Sequence, residues 1–293
     1  MTPLAPRLVT LTLEGAWLRL LGTRGREVEY WADIPFDDGL LHHGQIGDSQ
    51  ALGALIGETF RSRGLPRSRV VAAIPGLGSV SRIITITTPG ANLADAIESE
   101  ARKVLPDSLV DFNLYWQAID PRGSATLRVF ILATPREAVM GMIDTLQIAG
   151  IQPLALDLKP LALYRAVGAK DAVVANLESH ALDIVVVADD LPVLLRSVYL
   201  GESAGSSDFL LGRLTDELSR TVRYYNDTNR SAPLPITAPI FLSGEEVSDP
   251  GLVANLEALT GHPVQPPRPL LEYPPDFPVE RYLVNAGLAL KSL

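Results

Sequence analysis

VVANLESHALDIVVVADDLPVLLRSVYL, at 173–200, and RLVTLTLEGAWLRLLGTRGREVEYWADI, at 7–34, are two versions of one pattern. With Leu11-Thr12-Leu13-Glu14 laid over Ala175-Asn176-Leu177-Glu178, each reads as an apolar strand, a tight polar turn, a second apolar strand, another turn and a third strand. Two copies of a three-strand meander, about half the chain apart, predict a duplicated two-domain α/β protein.

Outward from the first copy, 48–63 carries Leu52, Leu55, Ile56, Thr59 and Phe60 at helical spacing and stops at Gly64. RVVAAIP at 69–75 has the continuous apolar character of a buried strand. An inserted β-α-β-β-α unit follows over about 80–150. It comprises a β-branched strand at 81–88, a helix at 92–105 opened by Asn92 with Asp95 three residues on, and alternating strands at 112–119 and 127–133. A helix beginning at Thr134-Pro135-Arg136-Glu137, read as a capping box, completes it and stops at Gly150. Residues 153–158 and the helix 160–167 return to the first domain, so 1–170 is expected to be one domain and 171–293 the other. Within the second, Gly201 to Ser207 is a loop, 208–225 a helix striped with Leu211, Leu214, Leu218 and Val222, and 239–243 a buried strand ending at Gly244. A helix at 249–259, a proline-rich crossing at 263–278 and a small-residue helix at 284–290 close the chain. The region 206–239 is a shortened outer subdomain, and 284–293 is a hinge helix.

The chain of 293 residues, 47% hydrophobic, can fill two cores. A net charge of −9 argues against a nucleic-acid partner and against unaided binding to anionic lipid. The absence of cysteine excludes a disulfide scaffold, a thiolate metal site and cysteine catalysis. No apolar run reaches the ~18 residues of a membrane span, and Glu14 and Arg19 interrupt any signal-peptide core. The expectation is a soluble, cytoplasmic protein.

The order of these pieces resembles the actin-like ATPases, and within them the PilM family of type IV pilus assembly proteins, nearly end to end. The first phosphate turn of that family, strand-Asp-hydrophobic-Gly, aligns with Val9-Thr10-Leu11-Thr12-Leu13-Glu14. Ile97 to Pro106 is similar to its inserted-subdomain helix end, and Ala149-Gly150-Ile151-Gln152-Pro153-Leu154-Ala155-Leu156-Asp157 to its "AGL…vD" connection. Leu218-Ser219-Arg220-Thr221-Val222-Arg223-Tyr224-Tyr225 resembles its tyrosine-ended helix, Ile240-Phe241-Leu242-Ser243-Gly244 its adenosine motif, and Gly287-Leu288-Ala289-Leu290 its hinge helix.

The family pattern implies a glycine in each phosphate turn, so that backbone can approach the nucleotide, and an aspartate in each for magnesium and water. Here Thr12 and Asn176 stand at the aspartate positions, Glu14 and Glu178 at the glycine positions, and Glu245 follows Gly244 in place of a second glycine. A carboxylate ~4 Å from a phosphate charge costs about 4 kcal/mol at an effective dielectric near 20. Fold kept and ATPase lost is therefore the expectation, with no catalytic residue, no metal and no cofactor. The resemblance then implies a cytoplasmic scaffold, peripheral to the inner membrane through a partner. It would grip the short cytoplasmic tail of a PilN-like bitopic inner-membrane protein, alongside other pilus platform proteins, in a groove among 69–75, 81–88 and 92–105. The alternatives are a PilM-like or FtsA-like ATPase that still binds ATP and magnesium, and a GspL-like cytoplasmic platform domain of type II secretion.

Other signals read as structure. Glu14 and Glu178 also fit solvated turn residues, and Asp157 a strand-end cap. Gly76-Leu77-Gly78-Ser79 lacks the lysine of a phosphate loop. Gly201 to Ser207 could offer amides to an anion, but Glu202 and Asp208 would repel it. Adjacent His42 and His43 diverge, and His180 and His262 are distant in sequence, which makes a metal site unexpected. Trp17, Trp31 and Trp116 are read as core.

Overall fold

A computed structural model describes residues 7–87, 92–105, 109–121, 126–201, 207–245, 247 and 250–291. The first meander is β1 (Leu8–Glu14), β2 (Trp17–Arg24) and β3 (Glu27–Pro35). After it come the two-residue strands β4 (Leu41–His42) and β5 (Gln45–Ile46), then α1 (Ser49–Ser62), whose first turn is capped by the Asp48 carboxylate accepting from the Ala51 amide at 2.9 Å. β6 (Val70–Ile74) is buried at every position and lies parallel to β1. The sheet is completed by β10 (Ala155–Leu158), giving the order β10-β6-β1-β2-β3.

Between β6 and β10 the chain builds β7 (Val80–Thr87), α2 (Leu93–Val104), β8 (Phe112–Ala118), β9 (Thr126–Pro135) and α3 (Arg136–Ile148), the expected β-α-β-β-α order. The three strands pair in the order β7-β9-β8, and α2 packs Ile97 and Ala101 onto Ile84, Ile86, Val129 and Ile131. Asn92 precedes α2 but does not cap its backbone; it donates to the Asp95 carboxylate. The capping box at Thr134 is not formed. β9 runs on through Pro135, and the Thr134 hydroxyl is buried without a partner, because strand pairing to Asn113 takes that residue before a helix can begin. α3 leaves the small sheet and packs against α1, with Val139, Met142 and Leu146 joining Leu52, Ile56 and Phe60. Its body thus lies on the first domain.

β10 (Ala155–Leu158) and α4 (Lys159–Val167) lead into the second meander, β11 (Ala172–Leu177), β12 (Ala181–Ala188) and β13 (Leu191–Tyr199). Then follow α5 (Ser207–Thr228), β14 (Ile240–Gly244), α6 (Pro250–Thr260), the short strand β15 (Val264–Gln265) and α7 (Leu283–Leu290). The second sheet runs β13-β12-β11-β14-β15, repeating the first strand for strand. β15, inside the proline-rich crossing, was not legible in the sequence; it takes the place that β10 holds in the first sheet. The repeats join through α4 and α7, where Ala162, Leu163 and Ala166 pack with Ala286 and Ala289. Gly287 is required there, since a Cβ would strike the carbonyl oxygen of Ala162.

Thr88, Pro106, Glu202 and Asp249 lie outside the described residues, as does most of the loop read between Gly201 and Ser207. Of the three tryptophans read as core, Trp31 is half-buried against the cluster that joins the repeats and Trp17 is half-buried outside the core clusters, while Trp116 is 41% exposed, because α2 covers β7 and β9 and leaves part of β8 open. No helix among the described residues is long and apolar enough to cross a membrane.

Candidate functional site

The duplication brings the first turns of the two meanders face to face. β1 turns through Gly15 and Ala16 into β2; β11 turns through Ser179 and His180 into β12, with the Glu178 amide donating to the Ala181 carbonyl at 2.9 Å. Gly15 has φ +54°, and a Cβ on it would strike the Ser179 side chain, so the turns touch.

Two glutamates stand at this contact, and neither is solvated. Glu14 and Glu178 are each 2% exposed, which corrects their reading as surface turn residues: the turns are tight and polar but buried by each other. Lys159, at the start of α4, donates from Nζ to the Leu13 carbonyl at 2.6 Å and to Glu14 Oε2 at 2.8 Å. Arg19, on β2 and 1% exposed, grips Glu178 with both terminal nitrogens, at 2.6 and 3.1 Å. That fork joins the two domains through a bidentate, charge-assisted contact. Arg19 also lies 3.5 Å from Asp33 and 3.8 Å from Glu245. Arg281 links the same two acids, at 3.0 Å to Asp33 and 3.6 Å to Glu245, and the Tyr282 hydroxyl donates to Asp33 at 2.8 Å. Burial and the Asp33 carboxylate hold the Tyr282 phenol protonated far beyond its ordinary range.

Burial dominates the electrostatics of the carboxyls. It pushes Glu178 up to about 7, with neighbouring Glu14 adding to the rise and Arg19 and Lys159 opposing it. Asp183, on β12 and hydrogen-bonded by the Ser197 hydroxyl, is raised to about 6, also by burial and against the pull of Lys159. Burial disfavours the charge on Arg19, but Glu178, Glu14 and Asp33 together hold its pKa above the ordinary guanidinium value. One oxygen of Glu14 has no hydrogen-bond partner.

The remaining sequence candidates face structural partners. Thr12 donates to Asn285 Oδ1 at 3.2 Å, and Asn285 in turn donates to the Thr10 and Arg19 carbonyls, tying α7 to the first sheet. Asn176 accepts from the Ser243 hydroxyl at 2.8 Å, and its own amide nitrogen is buried without a partner. Gly244 has φ +110°, and a Cβ there would strike the Leu177 carbonyl. Glu245, 27% exposed, leans toward Arg19 and Arg281. Asp157 is not a simple cap: it pairs with Arg165 at 2.8 Å and with Lys291 at 3.2 Å, binding β10 to both joining helices.

Beside the turns lies a cavity of about 230 Å³. Glu14, Glu178, Asp183, Lys159, His42, His43 and His180 line it, together with the Gly76 turn. His180, distant from the histidine pair in sequence, thus joins it here, with Nε2 2.9 Å from Asp38 Oδ2. No group of three metal-ligating side chains forms among the described residues. Gly244 and Glu245 are not among the cavity's lining residues, although Glu245 belongs to the charged cluster around Arg19. Arg19 and Lys159 were not singled out from the sequence. The signal was present: Arg19 interrupts the apolar run Leu18-Arg19-Leu20-Leu21, and a lone charge in a buried strand calls for a buried counter-charge.

The family described as type IV pilus assembly protein PilM matches residues 19–194, more than half of the chain. No curated protein sequence matches it. A solved PilM-PilN type IV pilus biogenesis complex is similar with a TM-score of 0.79 at 21% identity, over 97% of this chain and 98% of that one. The cytoplasmic domain of EpsL, an inner-membrane component of the Vibrio cholerae type II secretion system, gives 0.55 at 13% identity, over 98% and 94%. A Bacteroides thetaiotaomicron protein with an actin-like ATPase fold gives 0.52 at 11%, over 96% and 95%. The fold is the duplicated actin-like α/β fold.

Proposed function

The chain belongs to the PilM family of type IV pilus assembly proteins, and we propose that within it this protein is a non-catalytic adaptor whose nucleotide cleft is closed by its own side chains. The observation that carries this reading is the buried pairing of Glu14 with Lys159 and of Glu178 with Arg19. In the resemblance drawn from the sequence, these glutamates stand where phosphate turns have glycine. Their carboxylates take up the cations that a nucleotide phosphate would need, and Arg19 clasps the two domains directly.

MgATP does not fit these residues. Thr12 and Asn176 offer no carboxylate to a magnesium shell and are committed to Asn285 and Ser243. The cavity of about 230 Å³ falls below the ~300 Å³ at which pockets for larger ligands begin. A triphosphate would meet two buried acids, each worth about 4 kcal/mol of repulsion at ~4 Å and an effective dielectric near 20.

The partner of the adaptor is a PilN-like inner-membrane protein, held by a short cytoplasmic tail, and the chain is peripheral to the membrane through it. One similar solved structure is a PilM-PilN complex, which favours that partner class. Of the groove expected among 69–75, 81–88 and 92–105, the part at 70–74 is not available, because β6 is buried between β1 and β10. The groove that fits a tail lies between α2 and β8, lined by Ile97, Val110, Phe112, Leu114 and Trp116 and rimmed by Glu98, Arg102 and Arg136, with a volume of about 710 Å³. β8 is the free edge of its sheet, so a tail can add backbone hydrogen bonds to it and set apolar side chains into the groove. Fluorescence anisotropy with a labelled PilN-like tail peptide tests this. Saturable binding lost on Val110→Asp supports the adaptor, whereas binding indifferent to that change assigns the tail to another surface.

A further inference from the structure

On the outer side of the second domain, α5 and β13 bring three arginines onto one buried carboxylate. Glu217, 3% exposed, accepts from Arg196 of β13 at 2.5 Å through Oε2. Its other oxygen, Oε1, has Arg213 at 3.6 Å and Arg220 at 3.7 Å, four residues before and three after it on the same helix. Three positive charges thus converge on one negative charge, in a chain whose net charge is −9.

Arg196 satisfies the carboxylate. Arg213 and Arg220 stand near enough to feel it but too far to hydrogen-bond to it, and among the described residues no second acid lies within ion-pair distance of either. Arg213 Nε is moreover buried with no acceptor at all. A buried N–H without an acceptor is costly, and its usual remedy in a folded protein is a water or an ion. The three side chains are 45%, 38% and 66% exposed, so a ligand can reach them. Guanidinium groups present paired donors in the geometry that an oxyanion accepts. An anion here would also relieve the mutual repulsion of the arginines.

We propose that Arg196, Arg213 and Arg220 form a binding site for a phosphate-type oxyanion, carried by a soluble ligand or by a lipid headgroup. The site lies between β13 and α5, on the face of the second sheet that carries Ile184 and opposite the face whose Asp183 lines the cavity, and it does not depend on how the cleft is read.

The probe is pyrophosphate, titrated by calorimetry into the full chain at constant ionic strength. Wild type is expected to bind saturably. The Arg213→Gln, Arg220→Gln double variant is expected to bind at least ~10-fold more weakly, a loss matched to two charge-assisted contacts. Arg223→Gln, exposed on the same helix but not a neighbour of Glu217, is expected to bind as wild type does. Because Arg196 still partners Glu217, the double variant keeps its buried acid satisfied, and circular dichroism verifies its fold. If it unfolds, the single Arg220→Gln variant serves, with several-fold weakening expected. Co-sedimentation with phosphatidylglycerol vesicles separates the sources: binding lost in the same variant identifies a headgroup, and pyrophosphate binding alone identifies a soluble phosphate. No saturable pyrophosphate binding, or equal affinity in wild type and the double variant, overturns the proposal.

Discussion

Replacing Arg19 with methionine isolates the clasp between the domains. The change keeps an unbranched apolar stem on β2 and removes the bidentate partner of Glu178, leaving a carboxyl 2% exposed beside Glu14. A carboxylate stranded in that position takes up a proton. Breaking one side of a buried ion pair typically costs ~3–5 kcal/mol. Part of that loss follows pH. Wild-type Glu178 is already raised to about 7, so it is largely protonated at about pH 5 and partly ionised at about pH 7.5. At about 1.36 kcal/mol per unit, the ionised fraction that only Arg19 permits contributes about 1 kcal/mol at about pH 7.5 and almost nothing at about pH 5. Urea unfolding of Arg19→Met against wild type is therefore expected to show a loss of about 3 kcal/mol or more at about pH 7.5 that is smaller by about 1 kcal/mol at about pH 5. Adding Glu178→Gln to Arg19→Met removes the charge that needs a partner and is expected to restore most of the loss at the higher pH. An equal loss at both pH values, or a double variant as weak as the single one, would refute the assignment of Arg19 and Glu178 as one buried unit.

Three further outcomes follow from the same structure. In wild type, Glu178 is raised to about 7 and Asp183 to about 6, above their ordinary values of 4.5 and 3.8, so the folded chain holds protons that the unfolded chain has released. Their stabilisation is complete below the ordinary values and is lost as pH rises through about 6 and about 7; urea midpoints that rise across that window in wild type but not in a Glu178→Gln, Asp183→Asn variant would contradict this. Gly287→Ala forces a Cβ into the Ala162 carbonyl where α4 meets α7, and is expected to cost about 3 kcal/mol or more in urea unfolding; a change below about 0.5 kcal/mol would mean that the joining helices are less tightly packed. Val110→Asp, at a site 80% exposed, is expected to weaken tail-peptide binding about tenfold while leaving stability within about 0.5 kcal/mol, so a loss of stability instead would make Val110 a core residue.

The repeated meander was legible because each strand is short, apolar and closed by a polar turn, and the second sheet repeats the first strand for strand. Helix ends were legible where glycine takes positive φ, as at Gly64 and Gly150, with φ +62° and +69°. What escaped the sequence is what depends on distant partners. Arg19 and Glu178 are separated by 159 residues and Lys159 and Glu14 by 145, so no local pattern pairs them. Without those partners, glutamate in a tight turn looks solvated. α3 looked like part of the inserted unit because it follows β9 directly; its apolar face fits α1, which only the tertiary arrangement brings near. The exposed face of Trp116 was hidden for the same reason, since a strand's alternation gives its two faces but not which neighbour covers each.

The central claim, that internal carboxylates stand in the phosphate positions, is tested most directly by calorimetry of MgATP with the Arg213→Gln, Arg220→Gln chain, so that the α5 arginines do not contribute. No binding is expected up to millimolar ATP in that background. Measurable binding is expected once Glu14→Gly and Glu178→Gly free Lys159 and Arg19 for phosphate. Micromolar MgATP binding with both glutamates in place would contradict the closed cleft and make nucleotide its ligand.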